Sequence, residues 1–290
     1  MPNVFQGWRP LLEGGARLPL AGFILERAYR RYFLRASGTK RLFCGIFPDF
    51  DAALRAIPKS RLCGYDNEAS ADRMMGEWLG VYPNDYPVLF WLERLLPVTQ
   101  NVFDWGGNVG IKYFAFRRYL DYPVRLVWCV SDLPAIVERG RLVAGREKAP
   151  ALQFTSTLEA LAQADVLLAS GVVQFVDDPF QRLRSVPHLP DHLIFNKVPV
   201  YDMPSQVTLH NMGTALCPYH LFNRAAFVQS IEALGYRLSD HWTSPDVACA
   251  IPFAPRHSIA AYSGFYFTRS SIASVSHAAP GVRLLQVATP

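Results

Sequence analysis

The chain has 290 residues, half of them hydrophobic, 13% aromatic and 18% charged, which is the composition of a globular protein with ample material for a buried core. No apolar run reaches the roughly 18 residues of a membrane-spanning helix, and "MPNVFQGWRPLLEGG" lacks the basic-then-apolar layout of a secretory leader, so the expected location is cytoplasmic. Residues 1–61 carry 11 basic and 4 acidic side chains against 18 and 20 in the remainder, which places the net charge of +5 on the N-terminal extension and argues against a nucleic-acid cleft in the body. The five cysteines (Cys44, Cys63, Cys129, Cys217, Cys249) are odd in number and form no C-x-x-C pair, so neither a disulfide framework nor a thiolate metal site is expected.

In chain order, residues 18–35 predict a helix whose Arg27, Arg30, Arg31 and Arg35 share one face at spacings of three and four. Such a basic helix rests on an anionic membrane surface, docks a phosphorylated substrate, or simply presents a solvated face. Residues 48–96 read as mostly helical, with a helix after Tyr65 that Asp66 or Asn67 can cap, and a strongly apolar helix in "YPVLFWLERLL". From residue 101 strands and helices alternate. "NVFDW", "RLVWCV", "ALQF", "ADVLLAS" and "HLIFNKV" read as five strands. Between them "IKYFAFRRYL" and "PAIVERGRLVA" read as helices, Ser156 and Glu159 as a capping box before "LEALAQ", and Asp178-Pro179 as a helix start. Residues 199–219 show no clear period. A helix capped by Asn223 and stopped by Gly235 follows, then two closing strands and a tail, loose from about Ile272. The pattern predicts an α/β fold, a mainly parallel sheet with helices on both faces. It divides into a helical extension (1–96), the α/β domain (97–270) and the tail (271–290).

In such a sheet the turn after the first strand is the expected ligand site. Here it reads "VFDWGGNVG", residues 102–110. Gly106, Gly107 and Gly110 let the backbone turn sharply and approach a ligand closely. A dinucleotide fingerprint, G-x-G-x-x-G, would need glycine where Asn108 and Ile111 stand, so a nicotinamide-dependent oxidoreductase is disfavoured. Asp132, at the end of the second strand in "VWCVSDLP", is placed either to grip a ribose diol or to cap the helix at Pro134.

Four further stretches extend the pattern. "FCGIFPDFDAAL" followed by "GYDNE", "VFDWGGNVGIKYF" with "LVWCVSDLPAIVERG", "ADVLLASGVVQFVDDPFQRL" and "CPYHLFNRAAFVQSIEALGYRL" together resemble a bacterial family of S-adenosylmethionine-dependent methyltransferases of the class I, Rossmann-like type, met among surface-polysaccharide and other biosynthetic genes. The resemblance runs from about residue 43 to about residue 242. It departs after the fifth strand, where Asn196, Lys197, Val198 and Pro199 replace an Asp-Arg-Thr-Pro-like sequence.

The resemblance implies S-adenosylmethionine as cofactor. Asp104, Trp105 and the loop Gly106, Gly107, Asn108 and Gly110 would hold the methionine portion, with Asn108 a polar contact for its carboxylate. Asp132, with Leu133 beside it, would hold the ribose. Phe154, Thr155 and Ser156 would border the adenine, and Ser170 and Gly171 would lie beside the sulfonium. The acceptor would be a small molecule or sugar-containing metabolite, methylated at a hydroxyl with His210 as first-choice general base and His220 as second, and with Gln174 orienting the substrate or capping a helix. No metal site is expected. The rival reading is a non-catalytic binding or scaffolding protein on the same fold.

Overall fold

The computed structural model describes residues 19–37, 42–64 and 80–271. The expected helix after Tyr65 and the expected loose tail from Ile272 lie outside the described residues. The chain opens with helix α1 (Pro19–Arg35), strand β1 (Leu42–Phe47) and helix α2 (Phe50–Arg55), whose first turn is capped by Asp49 accepting the Ala52 N–H at 2.7 Å. Residues 42–47 are thus a strand within the stretch expected to be a helical extension. Helix α3 (Tyr86–Leu95) follows a single 3-10 turn, Pro83–Asp85.

The alternating region then delivers β2 (Asn101–Trp105), α4 (Ile111–Phe116), β3 (Val127–Ser131), α5 (Pro134–Arg146), β4 (Leu152–Thr155), β5 (Val166–Ser170), α6 (Pro179–Arg184) and β6 (His192–Val198). After these come β7 (Val200–Tyr201), β8 (Gln206–Asn211), β9 (Leu216–Asn223), α7 (Arg224–Glu232), β10 (Tyr236–Ser244) and β11 (Tyr262–Arg269). Asp178 and Asn223 cap α6 and α7 through the Gln181 and Ala226 N–H groups. Two expected elements differ. The helix after the glycines stops at Phe116. "LEALAQ" is a 3-10 stretch, Glu159–Gln163, without the Ser156–Glu159 capping box; Thr157 Oγ1 takes the Glu159 N–H instead, at 3.4 Å.

The main sheet has the order β4-β3-β2-β5-β6-β11-β10, parallel from β4 to β6 and antiparallel at β11 and β10. Its first five strands follow the 3-2-1-4-5 order of a doubly wound, Rossmann-like sheet. The expected α/β class holds. Strand order reverses between β2 and β5, which run parallel, and this puts the crevice beyond their carboxyl ends.

Residue parity sorts the sheet's two faces. Val102, Trp128, Val130, Leu168 and Ile194 pack under α3, α4 and α5. Phe103, Trp105, Leu167, Phe195 and Phe267 pack under the 3-10 stretch, α6 and α7. Strand β5 is buried on both sides, as its unbroken apolar run predicts.

A second sheet, β1-β8-β9-β7, joins β1 to the strands formed by the segment that showed no period. The chain enters it where Lys197 takes a left-handed conformation, φ 56°, at the end of β6. Its strand β9 lies against the Val173–Phe175 turn that follows β5, so the small sheet stands beside the carboxyl edge of the large one.

Candidate functional site

Asp104 is the fourth residue of β2, and parity turns it toward the α4 face, next to Trp128 on β3. Its carboxyl is 1% exposed. Oδ2 accepts the Trp128 indole N–H at 3.1 Å, while Oδ1 has no hydrogen-bond partner. Burial pushes its pKa up to about 7, opposed by the Trp128 bond and by Lys112 and reinforced by Asp132.

The glycine turn is built around this acid. A Cβ at Gly107 would sit 2.4 Å from Asp104 Oδ2, so only glycine lets the turn lie against the carboxyl. Gly106 has φ 69°, its N–H donates to the Ser131 carbonyl at 2.7 Å, and a Cβ there would strike Val172 at 2.5 Å. Gly106 thereby ties the turn to both flanking strands' loops. Asp132 closes the other side. Its Oδ2 accepts the Asn108 N–H at 2.9 Å and its Oδ1 the Leu133 N–H at 2.8 Å.

Asn108 itself is buried with φ 57°, and its Oδ1 accepts the Val109 N–H at 2.8 Å. Its side-chain oxygen therefore serves the turn. Replacement by valine would confound any contact with backbone strain, because a β-branched residue resists positive φ. Asn108→Gly is the cleaner change: it is expected to leave ligand affinity within about three-fold of wild type, and Asn108→Val to lower it by more than about ten-fold with a loss of thermal stability. Calorimetric titration and thermal melts of the two variants check this.

The other expected residues divide. Trp105 sends its indole into the core on the α6 and α7 face, leaving only its backbone near the turn. Phe154 is likewise core; a Cβ on Gly140 would fall 2.2 Å from its ring. Leu133, Thr155 and Ser156 line the outer edge near Asp132, whose N–H donates to the Thr155 carbonyl at 3.2 Å. Ser170 and Gly171 end β5, with the Gly171 N–H donating to the Asn196 carbonyl at 2.8 Å.

The histidines stand in the small sheet. His210 is 3% exposed and stacks on Phe43 with ring centroids 4.5 Å apart, with Tyr219 and Phe175 completing an aromatic cluster. His220 Nε2 lies 2.7 Å from the Asp177 carbonyl, and burial holds its pKa below the ordinary imidazole value, so the neutral ring donates to that oxygen. His210 packs on Phe43, and His220 packs between Phe50 and Phe222.

Four further side chains stand around the turn, of which the sequence had suggested a role only for Gln174. Lys112, on the first turn of α4, is buried and lies 2.6 Å and 2.7 Å from the two oxygens of buried Asp85. Lys197 reaches over Gly171, its Nζ 3.7 Å from where a Cβ there would be, with the Gln174 amide nitrogen at 3.8 Å. Gln174, considered earlier only as a substrate or cap residue, is 3% exposed and its Oε1 has no partner. Asn196, buried on β6, accepts the Trp242 indole N–H at 3.1 Å. The left-handed Lys197 had no sequence signal beyond its departure from the family pattern.

No protein-family model and no curated protein matches the chain. Among solved structures, the CcbJ methyltransferase from Streptomyces caelestis is 12% identical with a TM-score of 0.47, covering 71% of this chain and 98% of that one. The 1,6-didemethyltoxoflavin-N1-methyltransferase of Burkholderia thailandensis, solved with its substrate and S-adenosylhomocysteine, is 15% identical with a TM-score of 0.43, covering 65% and 79%. The magnesium protoporphyrin IX methyltransferase of Synechocystis PCC 6803 with bound S-adenosylhomocysteine is 17% identical with a TM-score of 0.41, covering 64% and 81%. Likenesses this distant assign neither family nor activity to the chain.

Proposed function

We propose that this protein is an S-adenosylmethionine-dependent methyltransferase acting on a small molecule or sugar-containing metabolite, at a hydroxyl. The observation that carries the reading is the buried Asp104 Oδ1, an acceptor without a partner, beneath a turn from which Cβ atoms are excluded. A buried polar atom in this position calls for a donor from outside the chain. The α-ammonium of the cofactor supplies one. When bound, the cofactor contributes a methyl carbon already activated by its sulfonium.

The chain's own residues then bind, orient and exclude water. Asp104 takes the ammonium, and Asp132 takes the ribose hydroxyls. Leu133, Thr155 and Ser156 border the adenine. Ser170 and Gly171 form the floor at the reacting end, where Gln174 and Lys197 face the acceptor. An ammonium there favours loss of the acceptor's proton. Of the two histidines, His210 is the candidate base, since it packs against Phe175 beside Gln174, whereas His220 is engaged by the Asp177 carbonyl.

The packing of both imidazoles favours a second reading, a non-catalytic binding module that keeps the fold. An oxidoreductase remains disfavoured, because Asn108 occupies the second glycine position of the fingerprint. The deciding experiment is titration of the purified protein with S-adenosylhomocysteine and with NAD, repeated with Asp132→Ala. Binding of the first alone, weakened about ten-fold or more by the substitution, is the expected result. NAD binding without S-adenosylhomocysteine binding overturns the proposal, and binding of neither favours the scaffold.

A further inference from the structure

The exposed face of α1 has no part in the site above. Three contacts set how this helix is turned. Tyr29 is buried and its hydroxyl donates to the Phe43 carbonyl at 2.8 Å. Phe33 is 1% exposed in the core shared by α1, α2 and the small sheet. The buried Asn211 amide donates to the Phe33 and Ala36 carbonyls, closing the helix's last turn. Helical periodicity then dictates what faces outward.

That outward face carries both charge and apolar surface. Phe23, Arg27, Arg31 and Arg35 follow one another at intervals of four, flanked by Ile24 and Arg30. All four arginines are exposed, as are Phe23 at 64% and Ile24 at 66%. Glu26 is the one acid in the helix, at the margin of this face.

A solvated charge run explains the arginines but not two large apolar side chains left in water among them. A phosphorylated ligand would use the guanidinium groups and gain nothing from Phe23 and Ile24, and a nucleic acid that stacked a base on Phe23 would still leave the aliphatic Ile24 unused. A bilayer surface rich in anionic headgroups uses both. Guanidinium groups pair with headgroup phosphates while the apolar side chains enter the acyl boundary. The excess of basic over acidic residues in the first 61 positions, 11 against 4, adds charge complementarity in the same stretch of sequence.

We infer that α1 is a membrane-surface contact, docking the protein peripherally on anionic lipid through Phe23, Ile24 and its four arginines. The small sheet carries this helix on one side and meets the Val173–Phe175 turn with β9 on the other. Docking therefore leaves the small sheet between the lipid surface and the main sheet, and uses no residue of the site. The inference does not depend on the methyltransferase reading.

The test is flotation of the full-length protein with vesicles of phosphatidylcholine alone and of phosphatidylcholine with about one-third phosphatidylglycerol, in about 0.1 M salt. Association with the anionic vesicles is expected to exceed that with neutral ones by at least about ten-fold. Arg27→Gln with Arg31→Gln is expected to abolish the difference, and Phe23→Ser with Ile24→Ser to weaken binding by about ten-fold or more, with unchanged circular dichroism and melting temperature. Equal binding to both vesicles overturns the inference. So does anionic binding that survives both double variants, which would place the contact elsewhere in the chain. Binding to heparin or RNA without vesicle binding assigns the face to a polyanion and overturns it as well.

Discussion

Asp104→Asn is expected to lower S-adenosylhomocysteine affinity by about 10- to 100-fold, the loss of a charge-assisted hydrogen bond, while leaving the free protein as stable as wild type or more so. The second half follows from linkage. Burial raises the folded-state pKa of Asp104 to about 7, above the roughly 3.9 of an unfolded aspartate. The native state therefore holds this proton more tightly than the unfolded state does. Stability contributed by the neutral carboxyl is fully present below pH about 4, is lost as pH rises, and is gone once pH passes about 7. Asparagine never ionises and escapes that loss, so the variant's advantage grows between pH 5 and 8 to an order of a few kcal/mol. Urea denaturation at the two pH values measures it.

The same acid predicts proton release. An ammonium arriving at Oδ1 favours the carboxylate, so ligand binding near pH 6.5 expels a proton, and the calorimetric heat depends on the buffer's ionisation enthalpy. Buffer-independent heats together with unchanged affinity in Asp104→Asn would remove Asp104 from the site.

Lys112→Met is the substitution expected to damage the fold most. Lys112 and Asp85 have side chains only 9% and 0% exposed, and the carboxylate also accepts the Tyr82 N–H at 3.1 Å. Removing the lysine leaves a buried carboxylate without its counter-charge, a loss of about 3–5 kcal/mol. Asp85→Asn strands the ammonium and should cost a similar amount. The double variant Asp85→Asn/Lys112→Met should lose less than the sum of the two, since neither charge is then stranded. Denaturation midpoints of the three variants test the cycle, and additive losses would mean that the two side chains act independently. A second effect is separable: Lys112 also draws the Asp104 pKa downward, so its removal should shift the stability profile of Asp104 toward higher pH.

Much of this molecule was legible beforehand because its signals are local. The alternation from β2 to β6 carries its own punctuation, with Pro134, Asp178 and Asn223 each beginning the helix expected of it. Asp104 and Asp132 were found because each stands at the carboxyl end of one of two neighbouring parallel strands, beside the glycine turn. What escaped was non-local or aperiodic. Strands β8 and β9 are buried on both faces, with nearly every residue enclosed, so the period-two alternation that marks a half-exposed strand is absent. The Lys112–Asp85 pair joins positions 27 residues apart on two helical segments, and no pattern of spacing says that these two side chains meet. The capping box at Ser156 failed for a different reason. Its residue types were right, but the Glu159 N–H goes to the Thr157 hydroxyl instead.

The small sheet also has a history in time. β1 is the edge strand beside β8, and the Thr208 hydroxyl meets the Gly45 carbonyl across 163 residues of sequence. During synthesis the first strand made must wait roughly 10–30 s for its neighbour to emerge, at about 5–20 residues per second. For that interval an apolar strand is unsheltered, and a chain shortened at its N-terminus would leave β8 as a bare edge indefinitely. An exposed edge of that kind recruits strands from other molecules. The segment from Leu42 to Phe47 therefore covers the edge of β8 and itself becomes the outer edge of the finished sheet.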